Sequence, residues 1–273
     1  MDQNSKTATL HTEGADIVYD CEGQGPLLLL IVGGNGDSRR YIPLSARLAG
    51  SYTVVRYDRR ASTRSSGDTG IDMDMAQQSR DAAALIRALG LGPAYVFGNS
   101  GGASIAIKLT EDHPELVRAL VAHEPPVMRI LHDAQQQMAM IDEVFSAFQQ
   151  HGAQVAMRKF AQTLVGFDKG DMAPGDQGGN MEYFMAHEYL PIGRYLPNLD
   201  KIRRDGVPVV TCAGSASVDA YYARTARVMA NLLACPYVEM AGNHLAFVIA
   251  PDLFAAELLP ILQRLREADT LLA

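Results

Sequence analysis

The chain has 273 residues, 48% of them hydrophobic and 20% charged, with a formal net charge of −7. This length fits one large α/β domain carrying an insertion, and the composition is that of an ordinary soluble globular protein. A nucleic-acid partner is excluded, because Arg39-Arg40, Arg59-Arg60 and Arg203-Arg204 are isolated pairs rather than a basic patch.

The opening stretch, MDQNSKTATLHTEG, is polar and holds no apolar signal segment. Strands are predicted at 16–19 and 27–32. The second is apolar at every position, as a central parallel strand buried on both faces must be, and it is far too short to span a bilayer. A further core strand follows at 52–58. Residues 73–91 carry apolar side chains at helical spacing and end at Gly90, a C-cap. A strand at 94–97 then gives way through Gly98-Asn99-Ser100-Gly101-Gly102 to a helix running on to Asp112. The strand at 117–124 is stopped by Pro125-Pro126. Residues 128–166 read as helix rich in Met, Gln and Ala. A Gly/Asp/Pro loop at 168–180 has the composition of a mobile lid segment. Residues 181–202 are helical again, broken by Pro191 and Pro197. Strands resume at 207–214 and 237–242, with helices at about 219–233 and 252–268.

Strands alternating with helices predict a mostly parallel sheet flanked by helices on both faces. The strandless stretch predicts a helical cap at 125–200, inserted into a core made of 1–124 and 201–273. The cysteines, Cys21, Cys212 and Cys235, are widely spaced and fit reduced thiols in a cytoplasmic protein. The seven histidines lack ligand spacing, so neither a metal site nor a cofactor is expected.

The five residues at 98–102 match G-x-S-x-G in the context that motif requires, a core strand before it and a helix after it. A reversal this tight leaves no room for side chains two positions either side of its apex. It presents the Ser100 hydroxyl, and the helix start supplies N–H groups suited to a developing oxyanion.

With its GGNGD loop, YDRR turn, GNSGG elbow and HEPP segment, the chain resembles the serine-hydrolase, esterase-like branch of the α/β-hydrolase fold superfamily over nearly its whole length. The resemblance implies that Ser100 is the nucleophile. It also implies that His244, in the turn after the last strand, is its base. The usual acid position, after the strand at 207–214, holds Ser215–Ser217 instead. Glu124, at the end of the neighbouring strand, is favoured as the acid, with Asp219 as the alternate. Gly101 and Gly34 are expected to supply the oxyanion-hole N–H groups, with Asn35 as the alternate to Gly34. Asp58 and Arg59 are expected to hold their loop structurally. Ala61 stands where relatives have Gly, which predicts a slightly rearranged turn. His123 should point to the opposite face from Glu124 and is given no role, and His187 is expected to be solvated or packed.

The expected function is hydrolysis of a small carboxylic ester or lactone through an acyl-enzyme on Ser100. Other acyl transfer, C–C bond hydrolysis or perhydrolysis on the same residues stay open, as does a non-catalytic ligand-binding role. The Met- and Phe-rich cap suits a small-molecule substrate with an apolar portion. No membrane partner is expected, and a homo-oligomer is left open.

Overall fold

The computed structural model describes residues 5–167 and 180–270. The 168–180 loop lies outside the described residues except for Asn180. The sheet has eight strands: β1 (Lys6–Thr12), β2 (Ala15–Glu22), β3 (Leu27–Ile31), β4 (Thr53–Tyr57), β5 (Ala94–Asn99), β6 (Val117–His123), β7 (Val209–Gly214) and β8 (Tyr237–Met240). Their spatial order is β1-β2-β4-β3-β5-β6-β7-β8. The β1–β2 and β2–β4 pairs are antiparallel and the remaining pairs are parallel.

β3 shows why the parallel strands are apolar throughout. Leu28 and Leu30 pack on one face, against α1 (Ile42–Leu48) and α11 (Pro251–Thr270). Leu27, Leu29 and Ile31 pack on the other, against α2 (Met75–Leu89), α3 (Gly101–Asp112) and α9 (Tyr221–Leu233). Alternate side chains point to opposite faces, so covering both faces demands hydrophobes at every position. The expected Gly90 C-cap is left-handed, with φ 65°.

β1 carries no such pattern. It is an edge strand, paired with β2 and mostly exposed, so KTATLHT shows only a polar stretch with no hydrophobic period.

From β6 to β7 the described residues contain no strand. They form α4 (Ala134–His151), α5 (Ala153–Ala161), α6 (Asn180–Tyr183), a π-helical turn (Phe184–Glu188), α7 (Tyr189–Arg194) and α8 (Leu199–Asp205). Ile141, Val144, Ala156, Met185, Tyr189 and Ile192 build a separate apolar cluster above the strand ends, joined by Tyr221 and Tyr222 of α9. α8 straddles the expected boundary at 200–201. Leu199 and Ile202 pack in the core cluster under the sheet, so the chain rejoins that core at Leu199. α9 begins at Tyr221, leaving Asp219 outside the helix that was expected to open with it.

Candidate active site

Ser100 stands between the end of β5 and the start of α3 with φ 56° and ψ −131°. A non-glycine residue held there stores strain of about 1–3 kcal/mol. The glycines around it are sterically required. A Cβ on Gly98 would lie 2.4 Å from the Gly102 carbonyl oxygen, and one on Gly102 would lie 2.0 Å from that of Ile31. The Ser100 N–H donates to the His123 carbonyl at 3.0 Å, which ties the elbow to β6. Ala103 and Ser104 donate to the Ser100 carbonyl, closing the first turn of α3. Gly101 and Gly102 open that helix with N–H groups that have no intrahelical partner.

The loop after β3 lies against the elbow. A Cβ on Gly33 would be 3.2 Å from Ser100 Cβ and 3.4 Å from the Gly101 nitrogen. Gly36 donates to the Gly33 carbonyl at 3.2 Å, and Asn35 between them has φ 70°. The Asn35 carbonyl accepts from the Asn180 side chain at 2.6 Å. The helical stretch roofs both glycines named as oxyanion donors. A Cβ on Gly34 would meet Phe184 at 2.6 Å, and one on Gly101 would meet Ile192 at 2.8 Å.

Glu124 follows β6 directly, with φ 50°, and is completely buried. Its N–H donates to the Cys212 carbonyl of β7 at 2.9 Å. Its Oε1 accepts from the Gly214 N–H at 2.8 Å, and its Oε2 lies 2.5 Å from His244 Nδ1. Burial works to raise this carboxyl's pKa. The His123 and His244 imidazoles and the Ser217 hydroxyl outweigh it and hold the value at about 2. His244 sits between β8 and α10 (Ala246–Ile249), buried, with its ring 4.5 Å from that of Tyr222. His244 and Glu124 thus meet across the ends of β6 and β8, on either side of β7, and Ser100 is tied to the end of β6 through the His123 carbonyl. Asp219 does not join them: its side chain is exposed and paired with Arg227 at 3.1 Å.

Two further groups have no local signature. His123 points away from Glu124 into the core, where its ring lies 5.3 Å from Phe254. Its Nδ1 nevertheless accepts from Asn99 Nδ2 at 2.8 Å, and that amide also donates to the His244 carbonyl at 3.2 Å. Burial pushes the His123 pKa down to about 4, so the ring is neutral at ordinary pH. The second group is a buried ion pair, Arg59 Nη2 to Glu188 Oε2 at 2.7 Å, which joins the turn after β4 to the π-helical turn. A pairing across 129 positions leaves no trace in local spacing.

Ala61 has φ 59°, so it takes the left-handed backbone in place of glycine. His187 lies at the surface side of the π-helical turn, 3.1 Å from Asp72. Among the described residues no group of three or more His, Cys, Asp or Glu could hold a metal ion, and no helix is long and apolar enough to cross a membrane.

Residues 26–185 match the family model of the alpha/beta hydrolase fold. The chain is 29% identical over 261 residues to the uncharacterized hydrolase YraK of Bacillus subtilis, covering 94% of this chain and 96% of that one. It is 29% identical over 156 residues to a zearalenone hydrolase of Cladophialophora bantiana, covering 52% of this chain and 59% of that one. A thermophilic esterase from Thermogutta terrifontis superposes with a TM-score of 0.77 at 17% identity, over 95% of this chain and 99% of that one, a likeness of fold. The family match spans β3 to the π-helical turn, and the eight-stranded order and the strand-to-helix serine turn accord with it: the chain is a hydrolase that belongs to the alpha/beta hydrolase fold family.

Proposed function

We propose that the protein is a serine hydrolase that cleaves a small carboxylic ester or lactone. The observation that carries this reading is the buried 2.5 Å contact between His244 Nδ1 and Glu124 Oε2, in a site that also holds Ser100 at a strained apex. His244 Nε2 takes the Ser100 hydroxyl proton, and Glu124 holds the tautomer and stabilises the imidazolium. Ser100 Oγ attacks the carbonyl carbon, and the N–H groups of Gly101 and Gly34 receive the negative oxygen. His244 returns the proton to the departing alkoxide, leaving an acyl-enzyme. Water, deprotonated by His244, then attacks the acyl carbon and releases the acid and the free serine.

The stretch at 125–200, with its described helices between β6 and β7, acts as the cap in this reading. Phe160, Phe184 and Tyr189 pack edge to face or tilted within 6.0 Å of one another and, with Ile192, offer an apolar roof for the substrate. The relatives named as a zearalenone hydrolase and an esterase support hydrolysis of this general kind.

A fluorophosphonate probe followed by adduct mapping tests the proposal. Ser100 is the expected site, and Ser100→Ala should take up no label. Label on another residue, or none on the wild type, would sink the reading. A panel of esters and lactones of graded acyl length then separates the two substrate classes.

A further inference from the structure

We infer that Arg59 is a positioning residue that orients the Gly33–Gly34 peptide, and that its ion pair with Glu188 couples this orientation to the turn covering Gly34. The inference rests on the hydrolase reading, in which the Gly34 N–H is one of the two oxyanion donors.

The Arg59 side chain is completely buried. Its Nη2 donates to the Gly33 carbonyl at 2.9 Å, while its Nε reaches the Val32 and Gly33 carbonyls at 3.2 and 3.3 Å. Its own N–H donates to the Gly36 carbonyl at 3.0 Å, so both backbone and side chain clamp the 33–36 turn. The Gly33 carbonyl also accepts from the Gly36 N–H. This carbonyl is therefore committed to the guanidinium side. The peptide it belongs to is trans, as are all those described. In a planar trans peptide the C=O and the following N–H point in opposite directions. Holding the Gly33 oxygen on Arg59 thus turns the Gly34 N–H away from Arg59. A Cβ on Gly33 would lie 3.2 Å from Ser100 Cβ, so the peptide being aimed borders Ser100.

Stability alone is a poor reason for this pair. A buried ion pair adds little net stability compared with well-packed hydrophobes. Here Glu188 Oε1 is also left without a hydrogen-bond partner, a further penalty. Orientation explains the choice better. A planar guanidinium can hold Val32, Gly33 and Glu188 at once, which an ammonium on a flexible stem cannot do with the same geometry. Glu188 closes the π-helical turn that Phe184 opens, and Phe184 is the residue lying over Gly34. One short turn therefore carries both the cover of the donor and the carboxylate that steadies its orienting arginine. π-helical turns recur at functional positions because they re-aim single side chains within a helix.

The test compares the full-length wild type with Arg59→Lys and Glu188→Gln. Each is checked for folding by circular dichroism and titrated for active sites with a fluorophosphonate. The expected result for Arg59→Lys is a fall in kcat per titrated site of about tenfold to a hundredfold, with KM within about twofold. Glu188→Gln, which keeps an acceptor but not the charge, should lose about threefold to tenfold in kcat. Phenylboronic acid, whose tetrahedral serine adduct uses the same donors, should lose affinity by the same factor as kcat in each variant. A merely structural role would lower the melting temperature and leave kcat per titrated site unchanged. Folded variants that keep both kcat and boronate affinity within about twofold overturn the inference, as does a change confined to KM. If Arg59→Lys does not fold, Glu188→Gln decides alone. Absence of label on wild-type Ser100 overturns the hydrolase reading and this inference with it, whereas a labelled wild type with unaltered variants overturns only the inference.

Discussion

Asn99 and His123 are joined twice, as partners in the β5–β6 ladder and by the Asn99 amide donating to His123 Nδ1 at 2.8 Å. The same amide nitrogen reaches the His244 carbonyl, so one side chain spans the strand before Ser100, the strand before Glu124 and the His244 loop. Asn99→Ala is expected to lower kcat for ester hydrolysis about tenfold, with little change in KM, because the His244 loop loses a tether. It also strands the buried His123 Nδ1, costing about 1–3 kcal/mol in urea unfolding. An unchanged kcat per titrated site would mean that the bridge serves packing alone.

The proposed acid is tested by a pair of isosteric variants. Glu124→Gln should reduce kcat by roughly 10³- to 10⁴-fold, since a neutral amide neither fixes the tautomer nor stabilises the imidazolium. Asp219→Asn, at an exposed position, should stay within about twofold of wild type. Collapse of activity in Asp219→Asn with retention in Glu124→Gln would reassign the role.

His123 makes stability pH-dependent. Its folded-state pKa of about 4 lies below the ordinary 6.5, so the unfolded chain binds the proton first. Its contribution to stability is therefore lost as pH falls from about 6.5 to about 4, by roughly 3 kcal/mol in all. Glu124 extends the loss to lower pH: its contribution is present above about 4.5 and disappears toward about 2. Urea midpoints measured between pH 7 and pH 4 should fall less steeply in His123→Gln, whose amide oxygen can still accept from Asn99. Equal slopes in the two proteins would mean that His123 is not held neutral by the fold.

Ala61 holds a left-handed backbone without glycine's freedom. Ala61→Gly should raise stability by about 1 kcal/mol, the steric relief outweighing the extra entropy of the unfolded chain. A melting-temperature gain of about 2–4 °C would register it, and a drop would mean that the methyl group packs favourably enough to offset its strain.

Much of the fold was legible because burial on two faces writes itself into consecutive residues, as in 27–31 and 94–97. The elbow was legible because close backbone approach at Gly98 and Gly102 tolerates one residue type. β1 was missed because an exposed edge strand has no hydrophobic period to read. α1 was missed because its seven residues complete fewer than two turns after a glycine-rich loop. The choice between Glu124 and Asp219 could not be closed from local pattern, since it depends on which carboxylate meets a histidine more than 100 positions away in the case of Glu124. Asn99 and His123 lay within the elbow and the HEPP segment, yet their bond exists only once β5 and β6 are in register. Arg59 was recognised as a loop-holding residue, but its partner Glu188 lies in a stretch whose sequence reads as ordinary helix.

Phe184 and Ile192 belong to different helical pieces, and each rests on a different glycine of the proposed oxyanion hole. In the proposed hydrolase, bulk over each donor glycine is thereby set by a separate codon. Neither codon encodes a residue that handles a proton. Under the proposed function, trimming Phe184 opens space over Gly34 and trimming Ile192 opens space over Gly101, so single steps can retune substrate range without altering a residue proposed for the chemistry.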